Sequence, residues 1–187
     1  FSLPPALQKT GDELTIVTPM YRVTQENYGD QFSLIKTCVI HLGQRQLSCA
    51  LYKGELNGVT VYAIGNEHLF HRPRLYGYGD DSLRFAFFCR AVIDLLPEFG
   101  DLPDILHCND WETALAILYL KNDAVLNDAL SHIKTVYTIH NIAYQGQFGR
   151  SEMETTFALP DGWYHGGLSY EFEGRQDINL MKGAMLM

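Results

Sequence analysis

Residues 104–108, Asp104-Ile105-Leu106-His107-Cys108, decide how this chain is read, because a helical stretch and a second apolar run follow them. The run is short, apolar and placed directly behind Pro103, the pattern of a buried strand. Trp111–Leu120 reads as a helix, and Ile133–Ile139 is again β-branched or aromatic apart from Lys134. Strand, helix and strand joined by short links predict a βαβ unit with parallel strands. Ligands in such sheets bind beyond the C-terminal ends of the strands. The stretches 107–111 and 138–146 are therefore where the chemistry is sought.

Upstream, the spacing predicts a helix over Asp80–Leu96, capped by Asp80 or Asp81. Leu83, Phe87, Ala91 and Leu95 form one apolar stripe, with Phe88, Val92 and Leu96 beside it. So wide a face packs against a sheet. Leu3, Ala6 and Leu7 suit a short opening helix that stops at Gly11, and Leu14–Thr18 is a strand halted by Pro19. Ser33–Leu42, Gln46–Tyr52 and Val59–Ile64 are further strands, with Asn57-Gly58 as a hairpin turn. At the far end, Arg175–Met187 reads as a final helix. The expected fold is α/β: a Rossmann-like parallel sheet flanked by helices, with a partly antiparallel insertion near residues 30–65.

With 187 residues, 47% of them hydrophobic, the chain can bury a core of its own as one domain. Its formal net charge is −8 and no run of Lys and Arg interrupts it, which argues against nucleic acid as a partner. No stretch approaches the roughly 20 apolar residues of a membrane span, so no membrane partner is expected. Cys38, Cys49, Cys89 and Cys108 contain no C-x-x-C pair and read as free thiols in a reducing compartment.

The two strand ends are polar. Asp110 has two readings: a helix cap for the residues after it, or a carboxylate facing a ligand hydroxyl. His140 is followed by Asn141, Tyr144, Gln145 and Gly146. Planar amides, a ring and a glycine are the groups that read sugar hydroxyls, which both donate and accept hydrogen bonds. Local chemistry leaves this reading level with a structural histidine. His68 and His71 are read as solvated loop residues, and Gly77 with Gly79 as a turn outside the phosphate-binding pattern.

Pro103 to Trp111 and Thr138 to Gly146 together resemble the bacterial glycogen synthase and plant starch synthase family. Arg72-Pro73, Leu75-Tyr76-Gly77, Arg84-Phe85-Ala86-Phe87-Phe88, Phe157-Ala158-Leu159-Pro160 and Asn179-Leu180-Met181-Lys182-Gly183-Ala184 match it in the same order. The likeness covers nearly the whole chain and is weakest over residues 30–55.

The resemblance implies one half of a GT-B glycosyltransferase, in which two Rossmann-like domains face across a cleft. Such an enzyme passes glucose from ADP-glucose to the 4-hydroxyl at the non-reducing end of an α-1,4-glucan, with retention and with no cofactor or metal ion. Residues 1–187 would be a truncated N-terminal, acceptor-side domain, the starch synthase catalytic domain. The C-terminal nucleotide-binding domain would lie outside it, and the fragment alone would be inactive. The setting would be the cytoplasm of a bacterium or the plastid of a plant.

Carried over by position, the catalytic residues would be His140, beside the transferred glucose near its 6-hydroxyl, and Asp110, facing the reacting sugars. Tyr76 and Asn141 would line the cleft, and Tyr144, Gln145 and Gly146 match the same motif as further substrate-binding positions. The family's Lys-Thr-Gly-Gly-Leu loop, whose lysine contacts the donor phosphates, would precede Phe1. Where the family often has His after Asp-Trp, this chain has Glu112. Two other readings stay open: a non-catalytic glucan-binding module, and a metal-dependent hydrolase built on His107, Asp110 and His140.

Overall fold

The computed structural model describes residues 3–125 and 127–187, so Phe1 and Ser2 of the expected opening helix lie outside the described residues. The chain divides into two compact units, Phe1–Val39 with Leu47–Gly77, and Ile40–Gln46 with Tyr78–Met187.

The first unit holds α1 (Leu3–Lys9), β1 (Thr15–Pro19), α2 (Arg22–Tyr28), most of β2 (Phe32–Leu42) and β3 (Arg45–Leu56), β4 (Val59–Gly65) and α3 (Glu67–Phe70). The strands form one sheet in the order β1-β4-β3-β2. β1 runs parallel to β4, with Thr15 opposite Thr60, and β3 runs antiparallel to β4, with Leu51 opposite Ile64. Asn57 at φ +53 and Gly58 at φ +78 make the expected tight hairpin turn, whose left-handed residues match the twist of the strands. The region 30–65 is partly antiparallel, as expected, and it also supplies an interior strand. β4 is an interior strand between β1 and β3, and its near-continuous burial is what an interior strand requires.

The second unit holds α4 (Asp81–Asp94), β5 (Ile105–Asn109), α5 (Ala114–Ala124), β6 (Lys134–Thr138), β7 (Gln147–Gly149), α6 (Glu152–Thr155), β8 (Ser169–Phe172), β9 (Arg175–Asn179) and α7 (Leu180–Leu186). The βαβ unit is present: β5 and β6 are parallel, with Ile105 opposite Lys134 and Asn109 opposite Thr138. α4 packs on α5, burying Phe87, Phe88, Ala91 and Val92 on one side and Leu115, Ile117 and Leu118 on the other. A chain of rings continues this core, from Phe85 to Trp111 (5.2 Å between centroids), Phe148 (5.6 Å) and Phe157 (5.6 Å).

Two expectations fail here. Arg175–Met187 is not one helix: Arg175–Asn179 is the central strand of an antiparallel sheet ordered β7-β9-β8, and the helix starts only at Leu180. The break falls at Asn179, whose Oδ1 accepts the Lys182 N–H at 2.9 Å as a helix cap. Nor does an aspartate cap α4. Asp80 makes no such bond, and the Asp81 carboxylate accepts from the Tyr78 N–H at 3.0 Å and from Arg84. Arg84 is fully buried, its guanidinium 4.9 Å from the Tyr78 ring centroid. A buried cation needs a nearby carboxylate, and that demand takes Asp81 out of the capping role.

Candidate active site

The site is built where β5 and β6 end together. Alternation along the strands places Ile105, His107 and Asn109 on one face of β5, and Val136, Thr138 and His140 follow the same parity along β6. Side-chain pairs cross between the strands on that face: His107 Nε2 lies 2.7 Å from Thr138 Oγ1, and His140 Nε2 lies 3.0 Å from Asn109 Oδ1. His140 is exposed at the C-terminal edge of the pair, where the strand rule locates ligands.

Asp110 follows β5 directly, and its backbone turns sharply at φ 56, ψ 179. An L-residue rarely occupies this region, and holding it there costs on the order of 1–3 kcal/mol. The turn is held locally. The Asp110 N–H donates to the Thr138 carbonyl at 2.9 Å, and the Thr113 hydroxyl donates to the Asn109 carbonyl at 2.8 Å. The Asp110 side chain caps no helix, contrary to one of its two readings. It reaches across to the next strand end, where Oδ1 accepts the His140 N–H at 2.7 Å and the Asn141 N–H at 3.3 Å.

The loop that follows folds on itself. Asn141 Oδ1 accepts from the Ala143 N–H at 3.0 Å, and the Asn141 carbonyl accepts from the Tyr144 N–H at 3.2 Å. This turn leaves Ile142 63% and Tyr144 61% exposed. Gln145 and Gly146, expected to meet sugar, also make close contacts within the protein. Gln145 Nε2 donates to the Ile142 carbonyl at 2.9 Å and its Oε1 accepts from Asn179 Nδ2 at 2.7 Å. Gly146 is buried at φ +64, where an added Cβ would stand 2.8 Å from Trp111 Cε3. Close packing on the tryptophan is therefore a sufficient reason for a glycine there.

Tyr76 belongs to the first unit, where it is 56% exposed. His107 does not join Asp110 and His140 in a ligand set: its Nε2 is paired with Thr138 Oγ1. Among the described residues no three His, Cys, Asp or Glu side chains are grouped to hold a metal ion. Asn109 and Asn179 are the contributors that sequence reasoning missed. Asn109 sits in the quoted strand-end motif, but its pairing depends on the register of β5 against β6.

The electrostatics around the turn are set by burial. Burial raises the Glu112 carboxyl, and the charges of Asp110 and Asp81 add to the rise. Burial likewise pushes the Cys108 thiol up to about 12, the Cys89 thiol well up, and the Tyr137 phenol upward, with Asp110 second in the last case. The buried Tyr137 hydroxyl has no hydrogen-bond partner among the described residues.

Comparison with known proteins shows the family. The family described as starch synthase catalytic domain matches residues 1–187. The chain is 38% identical over 185 residues to glycogen synthase of Bacillus cereus (strain Q1), covering 99% of this chain and 38% of that protein. It is 35% identical over 187 residues to glycogen synthase of Clostridium novyi (strain NT), covering 100% of this chain and again 38% of the relative. In structure it resembles the catalytic domain of starch synthase IV from Arabidopsis thaliana, solved with ADP and acarbose. There the TM-score is 0.82 at 27% identity over 98% of this chain and 38% of that one. The chain spans well under half the length of these relatives, and across that span it belongs to the starch synthase catalytic domain family.

Proposed function

We propose that this chain is the acceptor-side part of a retaining glucosyltransferase that extends an α-1,4-glucan with glucose from ADP-glucose. The observation that carries the reading is the joined strand ends. One carboxylate, Asp110, holds the backbone of His140 and Asn141 so that the imidazole stands at the open edge of the parallel pair. The glycogen synthase relatives and the ADP-bound neighbour support the donor and acceptor classes. In this reading residues 1–187 form the N-terminal domain, and the groups that hold the nucleotide lie in sequence outside it.

His140 then hydrogen-bonds the transferred sugar, and Asn141 and Tyr144 face the cleft. Tyr76, in the first unit, is a further substrate-binding position by its match to the family motif alone. Asp110 serves through the backbone it holds, while Gln145 and Gly146 keep the loop in place rather than bind sugar. Catalysis by such a site rests on placing the two sugars and on fixed dipoles, with the departing phosphate available to take the acceptor proton. No described helix is long and apolar enough to cross a membrane, and the bacterial relatives favour a cytoplasmic setting.

The test is transfer of labelled glucose from ADP-glucose to maltooligosaccharides by a full-length polypeptide carrying this chain. His140→Ala should lower kcat/KM by about 100-fold or more. Residues 1–187 alone should give no transfer. A full-length protein that binds glucan but never transfers glucose would instead favour a binding module.

A further inference from the structure

The loop from His140 to Gly146 is fastened at both ends, and its second fastening lies 34 residues away in sequence, at Asn179. Asn179 is 3% exposed at the junction of β9 and α7. Both ends of its amide are used. Oδ1 accepts from Lys182 N–H at 2.9 Å, and Nδ2 donates to Gln145 Oε1 at 2.7 Å. Gln145 relays the hold, because its Nε2 donates to the Ile142 carbonyl at 2.9 Å inside the exposed turn.

The backbone adds three more ties. Leu180 N–H donates to the Gly146 carbonyl, Met181 N–H donates to the Gln145 carbonyl (3.1 Å each), and Gln147 pairs with Asn179 across β7 and β9. A buried amide with both faces satisfied is a rigid anchor, since either broken bond would leave a desolvated polar atom. We infer that Asn179 is a positioning residue, which sets where His140 and Asn141 stand by fixing the far end of their loop through Gln145. The inference rests on the proposed glucosyl transfer for its functional meaning, but not for its geometry.

Asn179→Asp separates the two roles of the amide. It keeps an oxygen to cap α7 but removes the donor to Gln145. Gln145 can then satisfy Ile142 or position 179, not both. In the full-length polypeptide, amide hydrogen exchange across residues 140–146 should quicken on the order of tenfold. Tm should fall by a few degrees, because a carboxylate at this buried position faces the Gln145 oxygen, but exchange outside the loop should quicken far less than within it. The value of kcat should fall on the order of 10- to 100-fold, as displaced catalytic groups do, with KM for the glucan within about twofold.

Asn179→Ala loses the cap as well and should add a fall in Tm. Unchanged loop exchange in Asn179→Asp overturns the inference. So does exchange that quickens evenly over the chain with kcat intact, which would make Asn179 purely structural. If the wild-type protein transfers no glucose, the functional reading fails, and loop exchange alone decides whether the anchor exists.

Discussion

The His140 N–H donates to Asp110 Oδ1 across 2.7 Å, joining the ends of two parallel strands through a side chain whose own backbone sits at φ 56. A residue that is both strained and bonded to the segment carrying the proposed site invites separation of the two effects.

Asp110→Asn keeps an acceptor oxygen and should leave stability nearly unchanged. Asp110→Ala loses the acceptor and retains the strain. Asp110→Gly loses the acceptor but relieves the strain, so it should be more stable than the alanine variant by about 1 kcal/mol in chemical denaturation. Both should transfer glucose about 100-fold or more slowly than wild type, because the loop is no longer held. An alanine variant as stable as the glycine variant would refute the strain.

Gly146→Ala should destabilise by about 1–3 kcal/mol. Its Cβ would stand 2.8 Å from Trp111 Cε3 and 3.2 Å from Leu180 Cβ, at a φ of +64 that L-residues avoid. Thermal unfolding reads this directly. A neutral result would mean that the Trp111 ring moves aside at no cost.

Arg84→Ala should cost about 3–5 kcal/mol, since it leaves the Asp81 carboxylate buried without its cation. The double variant Asp81→Leu with Arg84→Met should recover part of that loss. Urea unfolding of the two proteins measures the difference, and equal losses would deny the pair its coupling.

Glu112 predicts a pH dependence. Its carboxyl is raised above 4.5 by burial first, then by Asp110 and Asp81. A raised carboxyl means the folded state holds the proton more tightly than the unfolded state. The associated stability is fully present below the unfolded value and is lost as pH rises through the folded value. Glu112→Gln should therefore raise Tm at pH 7 and bring no gain near pH 4. The gain should be small, because the group is only half-buried. A gain that is constant across this range would refute the linkage.

The thiols offer a chemical check. Cys49, Cys89 and Cys108 are buried, and Cys38 is half-buried. Burial also disfavours the reactive thiolate of Cys89 and Cys108. Ellman's reagent should label Cys38 first in the native protein and reach the other three only on unfolding. Rapid labelling of Cys108 would show that the strand end opens.

Much of this was readable in the residues. The β5–α5–β6 core declares itself because hydrophobic periodicity changes where the structure changes, and Asn57-Gly58 names its own turn. β9 was hidden. Arg175-Gln176-Asp177-Ile178-Asn179 has a single apolar side chain aimed inward, and it is a strand only because β7 and β8 flank it. The site divides the same way. His140 and Asp110 stand out because strand ends are where polar residues gather. The jobs of Asp110 and Gln145 did not, because their partners lie 30 and 34 residues away. Composition marks Gln145 and Gly146 as groups a sugar would like, and the structure adds that Asn179 bonds the one while Trp111 packs on the other.

The fastening of the 140–146 loop at both ends also bears on how such a protein can change. Position 110 holds one end of the loop, and positions 145 and 179, beside the packed Gly146, hold the other, so a replacement at any of them disturbs the loop before it alters any ligand. Ile142, Ala143 and Tyr144 carry no such obligation and lie exposed between the anchors. Under the proposed function, variation in which glucan is preferred can accumulate at these three side chains, one step at a time, with the framework beneath them left intact.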